Sequence, residues 1–285
     1  MNWRLPLVTL TLDARGVGLP AQLAAKEVYS IFALTYPAIQ KADLSNVPSL
    51  AHETVHYHME LLGRSPQEEL ASINRRLTAM CVSDLARGVR QSLEDAATHI
   101  DIVSELSPDK FREEIGDGPE DTMTEAIRAA VVARQEAIRR RAQGMSHPKL
   151  VQKVVSSLRA PLSWTPELAS FQKLRNCLEH RGGIVGRQDV DETNTMSLRL
   201  PYLKVNVIGA SGSVAPLEIG RELRESSSIE VEVAVRTTRF NLGETVDIEP
   251  VRVGEIAFAC WVFAVDIVDK LVPAAAQSSK HKIYI

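Results

Sequence analysis

The stretch that decides the fold is Phe171-Gln172-Lys173-Leu174-Arg175-Asn176-Cys177-Leu178-Glu179-His180-Arg181-Gly182-Gly183. Leu168, Phe171, Leu174 and Leu178 recur at helical spacing. Thr165-Pro166 offers an N-cap followed by a residue preset for the first helical position, and the glycine pair offers a stop. The segment therefore predicts a helix of about four turns. Arg175 and His180 are five residues apart. On a helix that is about 7.5 Å along the axis and well over a right angle around it. One helix alone does not bring both to a single phosphate; two copies packed antiparallel, or a frayed last turn, would do so.

The series Arg175-Asn176-Cys177-Leu178-Glu179-His180, an arginine followed by a polar residue and then a histidine, resembles the signature of the HEPN superfamily of all-helical ribonucleases and nucleotide-binding proteins. The order around it agrees: an apolar helix before the motif, a glycine-containing exit through Gly182-Gly183-Ile184-Val185, a β-rich excursion, and a closing apolar helix from near Pro250. The agreement spans about residues 120 to 272 in pattern and is specific at the motif. The resemblance implies a HEPN-like helical bundle and a metal-independent endoribonuclease without a cofactor. It also implies a bacterial toxin or antiviral defence effector acting on cellular RNA, a homodimer, and an antitoxin or defence-system partner. His180 suits transfer of the ribose 2′-hydroxyl proton or protonation of the leaving 5′-oxygen. Arg175 offers a permanently charged fork to the scissile phosphate, and Asn176 an amide to orient either group or hold the phosphate. The bland alternative is that Arg175 and Asn176 brace neighbouring helices while His180 meets the helix C-terminal dipole. Degenerate relatives that only bind a partner or a nucleotide make that a second function class.

With 285 residues, 45% of them hydrophobic, the chain can bury one large core or two modest ones. A net charge of −3 excludes a protein that coats polyanions generally, so any RNA contact is local. No apolar run is long enough to span a bilayer, and Met1-Asn2-Trp3-Arg4-Leu5-Pro6 lacks the apolar region of a signal peptide, so the expectation is a cytoplasmic protein with no membrane partner. Cys81, Cys177 and Cys260 are odd in number and far apart, and read as small core residues rather than a disulfide framework. No glycine-rich phosphate loop is present, which argues against ATP or GTP hydrolysis.

Outward from the motif, the pattern predicts a mainly α protein with a β-hairpin inserted before the last helix. A short strand is expected around Leu5 to Leu10, then helices from Leu19 to about Lys41 and from about Ser49 to Gly63. Ser65-Pro66-Gln67-Glu68 forms a capping box, and the periodicity continues to Leu106 as one very long helix or two joined at Gly88. Ser107 to Asp121, rich in proline and glycine, is the best internal break. Helices follow from Thr122 to about Gly144 and from Pro148 to Arg159, ahead of the motif helix. Leu198, Leu200, Val205 and Val207 predict one strand of the hairpin, and Ile229, Val231, Val233 and Val235, alternating with Glu230, Glu232 and Arg236, its half-exposed partner. The last helix runs from about Val251 to Leu271, stops before Pro273, and is apolar on most sides through Ile256, Phe258, Trp261 and Phe263. The expected organisation is an N-terminal helical region over 1–118, a HEPN-like domain over 119–273 with its hairpin at about 196–240, and a tail over 274–285.

Two further patterns carry chemistry. His52-Glu53-Thr54-Val55-His56, if helical, would set His52 and His56 on one face as zinc ligands with Glu53 as base, the arrangement of a zinc metallohydrolase. No third ligand stands out downstream, and the plain reading is a polar stripe without metal. The run Arg139-Arg140-Arg141, together with Arg181, is the candidate contact for the RNA backbone; its plain reading is a solvated helix face.

Overall fold

The structure, a computed structural model, describes residues 14–41, 50–52, 55–57, 66–105, 120–158, 160–209, 212–217, 228–249 and 251–278. Within them the chain is mainly α, with a small three-stranded antiparallel sheet. The helices are α1 (Leu19–Lys41), α2 (Pro66–Glu105), α3 (Glu120–Gln143), α4 (His147–Ser157), α5 (Thr165–Arg181) and α6 (Val251–Ser278). The strands are β1 (Leu50–His52), β2 (Val55–Tyr57), β3 (Thr195–Ile208), β4 (Val214–Pro216) and β5 (Ser228–Asn241).

Most helices fall where the apolar period and the turn residues put them. α2 is a single helix of 40 residues that passes through Gly88 without a break. One interior glycine costs a helix only about 1 kcal/mol, and the buried residues on either side, Leu85 and Val89, keep the stripe continuous. Two expectations are corrected. The helix expected over Ser49 to Gly63 is a hairpin where the structure describes it, with Ala51 paired to His56 and His52 to Val55. Thr54, Val55 and Tyr57 are residue types that favour a pleated backbone, which the four-residue spacing of the two histidines does not reveal. α6 does not stop at Leu271 but runs through Pro273 to Ser278. Its run of three alanines after the proline has the best helix propensity, which offsets the lost backbone bond. The expected strand at Leu5 to Leu10 and most of the expected break at Ser107 to Asp121 lie outside the described residues.

The inserted hairpin stands in the expected place: β3 pairs β5 antiparallel from Thr195↔Asn241 to Ile208↔Ser228. β4 adds a short third strand on the other side of β3, in the order β4-β3-β5.

Packing groups the chain into two compact units that interleave in sequence. One comprises 1–23, 87–165 and 260–285; the other comprises 24–86 and 166–259. A helix as long as α2 spans about 60 Å, more than one small core covers, so its halves belong to different units. In the first unit Leu93, Ala97, Ile138, Leu150, Val154, Phe263 and Ile267 form the buried interior. There the Ser92 hydroxyl accepts the Ala21 N–H at 3.2 Å, satisfying one of the open donors at the start of α1. Asp266 accepts the Ser163 N–H at 2.7 Å and the Lys270 ammonium at 2.6 Å. In the second unit Val82, Leu85, Leu168, Phe171, Leu174, Met196, Leu198, Phe240, Val253 and Ile256 are buried, so α5 and the base of the hairpin belong to one core. No helix among the described residues is long and apolar enough to cross a membrane.

Candidate active site

α5 carries the motif. Leu168, Phe171, Leu174 and Cys177 are buried along one stripe, which leaves the intervening residues toward the surface. Thr165 does not cap the helix with its oxygen as acceptor; its hydroxyl donates to the Leu162 carbonyl at 3.2 Å. The first turn is held instead by Glu167 and Ser170. Glu167 is buried and pairs with Arg199 of β3 at 2.8 Å. The Ser170 hydroxyl donates to the Arg199 carbonyl at 2.7 Å and accepts the Arg199 N–H at 2.9 Å.

At the C-terminal end the helix exits through two glycines with left-handed backbone, Gly182 at φ 59° and Gly183 at φ 84°, a conformation costly for any residue with a β-carbon. The Gly183 N–H bonds the Cys177 carbonyl at 3.0 Å, and the Val246 N–H bonds the Gly183 carbonyl at 2.7 Å. Ile184 bridges Thr245 antiparallel, so the entry and exit of the inserted hairpin are tied together immediately beyond the motif.

Arg175 and Asn176 are half-buried, while Glu179 and His180 are exposed. Each of the first two is anchored one turn away on the same helix. The Arg175 guanidinium pairs with the Glu179 carboxylate, and the Gln172 amide donates to the Asn176 side-chain oxygen at 3.0 Å. Burial works against ionisation of Glu179, but the Arg175 guanidinium, the Ser83 hydroxyl and the charge of His180 outweigh it and hold its carboxyl below the usual value. His180 stands in the last turn. The arrangement is therefore a fixed cation, a fixed amide and an exposed imidazole at one helix end.

Arg181 has a structural employment. Only 19% of its side chain is exposed, and it pairs with Asp189, 3% exposed, whose other oxygen accepts the Gly186 N–H at 2.9 Å. Its Nε is buried without a partner among the described residues. Arg181 thus pins the loop after α5 and is not presented to a phosphate. The Cys177 thiol is pushed up by burial and the nearby Asp189 carboxylate, against the opposing effect of Arg181.

Arg139, Arg140 and Arg141 are exposed near the end of α3, in the other unit from α5. Arg141 and Arg134 both pair with Glu105, and Arg140 donates to the Glu136 carbonyl of its own helix at 3.4 Å. Arg90 closes that helix end by donating to the Met145 carbonyl at 2.9 Å and the Gln143 carbonyl at 3.2 Å. The candidate metal site loses its premise. His52 and His56 lie on two paired strands, His52 opposite Val55 and His56 opposite Ala51, and not four apart on a helix, and Glu53 lies outside the described residues.

A cleft of about 390 Å³, open to solvent, is lined by Leu198, Leu200, Phe240 and Ile256 together with Arg236, Arg252 and Glu255. Both arginines are engaged: Arg236 pairs with Glu255 at 2.6 Å and stacks 4.3 Å from the Tyr202 ring, and Arg252 donates to the Thr238 hydroxyl at 3.0 Å. With Asp247 also lining it, the cleft carries no net charge preference. Sequence reasoning missed Glu179 and Gln172 as anchors, although both sit four residues from their partners and that spacing is readable on any helix. Asp189 and Arg199 had no such local signal.

Comparison with known protein families, with curated proteins and with solved structures returns no match for the chain.

Proposed function

We propose that the protein is a metal-independent endoribonuclease of HEPN type, with Arg175, Asn176 and His180 as its catalytic residues. The observation that carries this reading is the exposed His180 in the last turn of α5, on the helix where Arg175 is oriented by Glu179 and Asn176 is held by Gln172. Such anchoring lowers the cost of ordering these groups against a phosphate.

In the proposed reaction the ribose 2′-hydroxyl loses its proton to an imidazole nitrogen and its oxygen attacks the adjacent phosphorus. Arg175 and the Asn176 amide stabilise the charge that builds on the non-bridging oxygens. The 5′-oxygen then leaves with a proton from an imidazolium, giving a 2′,3′-cyclic phosphate and a 5′-hydroxyl. Because positions 175 and 180 diverge around one helix, the site is completed by a second copy across a two-fold axis beside α5. A toxin or defence effector is the biological setting we propose, with cellular RNA as substrate.

The test is end-group analysis of RNA incubated with the purified protein in EDTA, with cyclic phosphate and 5′-hydroxyl ends expected. Arg175→Ala and His180→Ala proteins, each inactive alone, should regain partial activity when mixed. Phosphorylated 5′ ends, or no cleavage of tRNA or total RNA, would remove the assignment.

A second reading, a non-catalytic helical module for a partner protein or a nucleotide, is favoured by one observation: the Arg175 charge is already met by Glu179 inside a single protomer. That reading predicts no turnover at high protein concentration, and a Glu179→Gln variant as inert toward RNA as the parent.

A further inference from the structure

β5 is an edge strand: in the order β4-β3-β5 its outer side has no neighbouring strand among the described residues. It is also long, at 14 residues, and β-branched. Ile229 and Val231 are each 54% exposed, Val233 44% and Val235 39%, and all four fall on one face at alternating positions. Across the ladder, Val205 pairs with Val231, Leu203 with Val233, and Pro201 with Val235, and Leu203 is itself 48% exposed. The outer half of the hairpin thus presents an apolar face beside a row of open backbone donors and acceptors. Proteins blunt such an edge or use it to join another strand.

Its charges point to the partner. If two β5 strands lie antiparallel about a two-fold axis normal to the sheet, residues equally far from the axis face each other. Centred on Val233, that rule sets Val231 opposite Val235 and Glu230 opposite Arg236 of the second copy, twice over by symmetry. A register centred on Glu232 would oppose two carboxylates, and one centred on Ala234 would oppose Val231 to Thr237. The Ala234 register also joins opposite charges, Glu232 to Arg236, but only the Val233 register does so while setting every valine of the face against a valine. Arg236 retains donors for a second carboxylate beyond Glu255, since a guanidinium has five.

We propose that two copies of this chain join edge to edge through β5, antiparallel about Val233, to form one continuous six-stranded sheet. This association is independent of RNA cleavage and of any contact through α5.

The experiment is light scattering on the full-length protein over a micromolar concentration series, with parent, Val233→Lys and Glu230→Lys compared and each checked for an unchanged thermal melt. The parent should weigh at least twice the chain mass. Val233→Lys, which brings two ammonium groups together at the axis, should weigh half as much as the parent or less. Glu230→Lys should weaken self-association by about tenfold through removal of the two cross-strand charge pairs. As the native cysteines are buried, Val233→Cys offers a second readout. Mild oxidation should link it into a covalent dimer, and an Ile229→Cys control, opposite Thr237, should stay unlinked. A monomeric parent, a Val233→Lys protein as heavy as the parent, or a monomer whose β5 amides are protected along both edges would each overturn the proposal. The last result would mean that another segment of the same chain occupies the edge. None of these readouts involves RNA, so their failure leaves the nuclease reading to its own test.

Discussion

The ends of α3 and α5 both gather cations, but they dispose of them differently. At the end of α3 the arginines are exposed, and Arg134 and Arg141 share one surface carboxylate, Glu105. At the last residue of α5, Arg181 is driven inward onto Asp189, and one turn earlier Arg175 is clamped to Glu179, while the imidazole of His180 stays exposed in the last turn. A run of like charges is thus the weaker indicator of a site: solvent already satisfies it, and each member is worth little in place. A mixed set in which each charge has a fixed partner has been ordered before any ligand arrives, and it is here that chemistry is sought.

Asp189 is where this contrast meets its strongest challenge. Asp189→Ala leaves Arg181 buried and unpaired and removes the acceptor for Gly186, and should cost about 3–5 kcal/mol of stability in a denaturant titration. A loss below about 1 kcal/mol would mean that the inward pair is no more structural than those on α3. Next, Arg175→Ala should lower RNA cleavage by about 10²–10³-fold, the scale for removing one donor to a developing oxyanion. Arg175→Lys should not restore it, because a lysine cannot supply the two-pronged contact.

Acid should then separate the unit that contains α3 from the one that contains α5. His99, in the first, is buried with its Nε2 unpartnered among the described residues, and burial holds it below its ordinary value of 6.5. It is neutral in the fold and takes up a proton on unfolding, so its contribution is intact above pH 6.5 and declines as the pH falls below it. Glu179, held below 4.5, contributes above that value and loses its contribution as the pH falls through its lower folded one. Thermal melts between pH 6.5 and the carboxylate range should therefore fall with pH in the parent and fall less in His99→Leu, while Glu179→Gln, lower by a constant offset, should fall with the parent's slope there. The smallest effects belong to the basic run. Arg141→Ala should change stability by about 0–1 kcal/mol. Arg139→Ala with Arg140→Ala should reduce the salt slope of RNA binding by about one for each phosphate that is no longer neutralised; an unchanged slope would make that face merely solvated.

Much of the fold is legible in residue patterns, for reasons these regions illustrate. α1, α2 and α5 follow from apolar residues at helical spacing, and the β3–β5 ladder from the strict alternation of Ile229, Val231, Val233 and Val235 with Glu230 and Glu232. The segment around His52 misleads because residues four apart mimic a helix face while Thr54, Val55 and Tyr57 favour a strand. The interleaved units are not legible, since the halves of α2 look alike in sequence and only packing assigns them to different cores. At the candidate site, Arg175, Asn176 and His180 could be read off α5 together with their helical offset. The inward pairing of Arg181 could not, because Asp189 reaches it only through the turn made by Gly182 and Gly183.

If the exposed imidazole at the end of α5 does acid–base work on RNA, its removal must be felt in cleavage with every metal chelated. The decisive measurement is therefore RNA cleavage by the His180→Ala protein in EDTA, beside the parent. The parent should cut tRNA or total RNA under these conditions, and His180→Ala, folded and melting as the parent does, should cut about 10²–10⁴-fold more slowly. Cleavage by His180→Ala at the parent's rate, or cleavage by the parent that chelation abolishes, would contradict the catalytic role of His180.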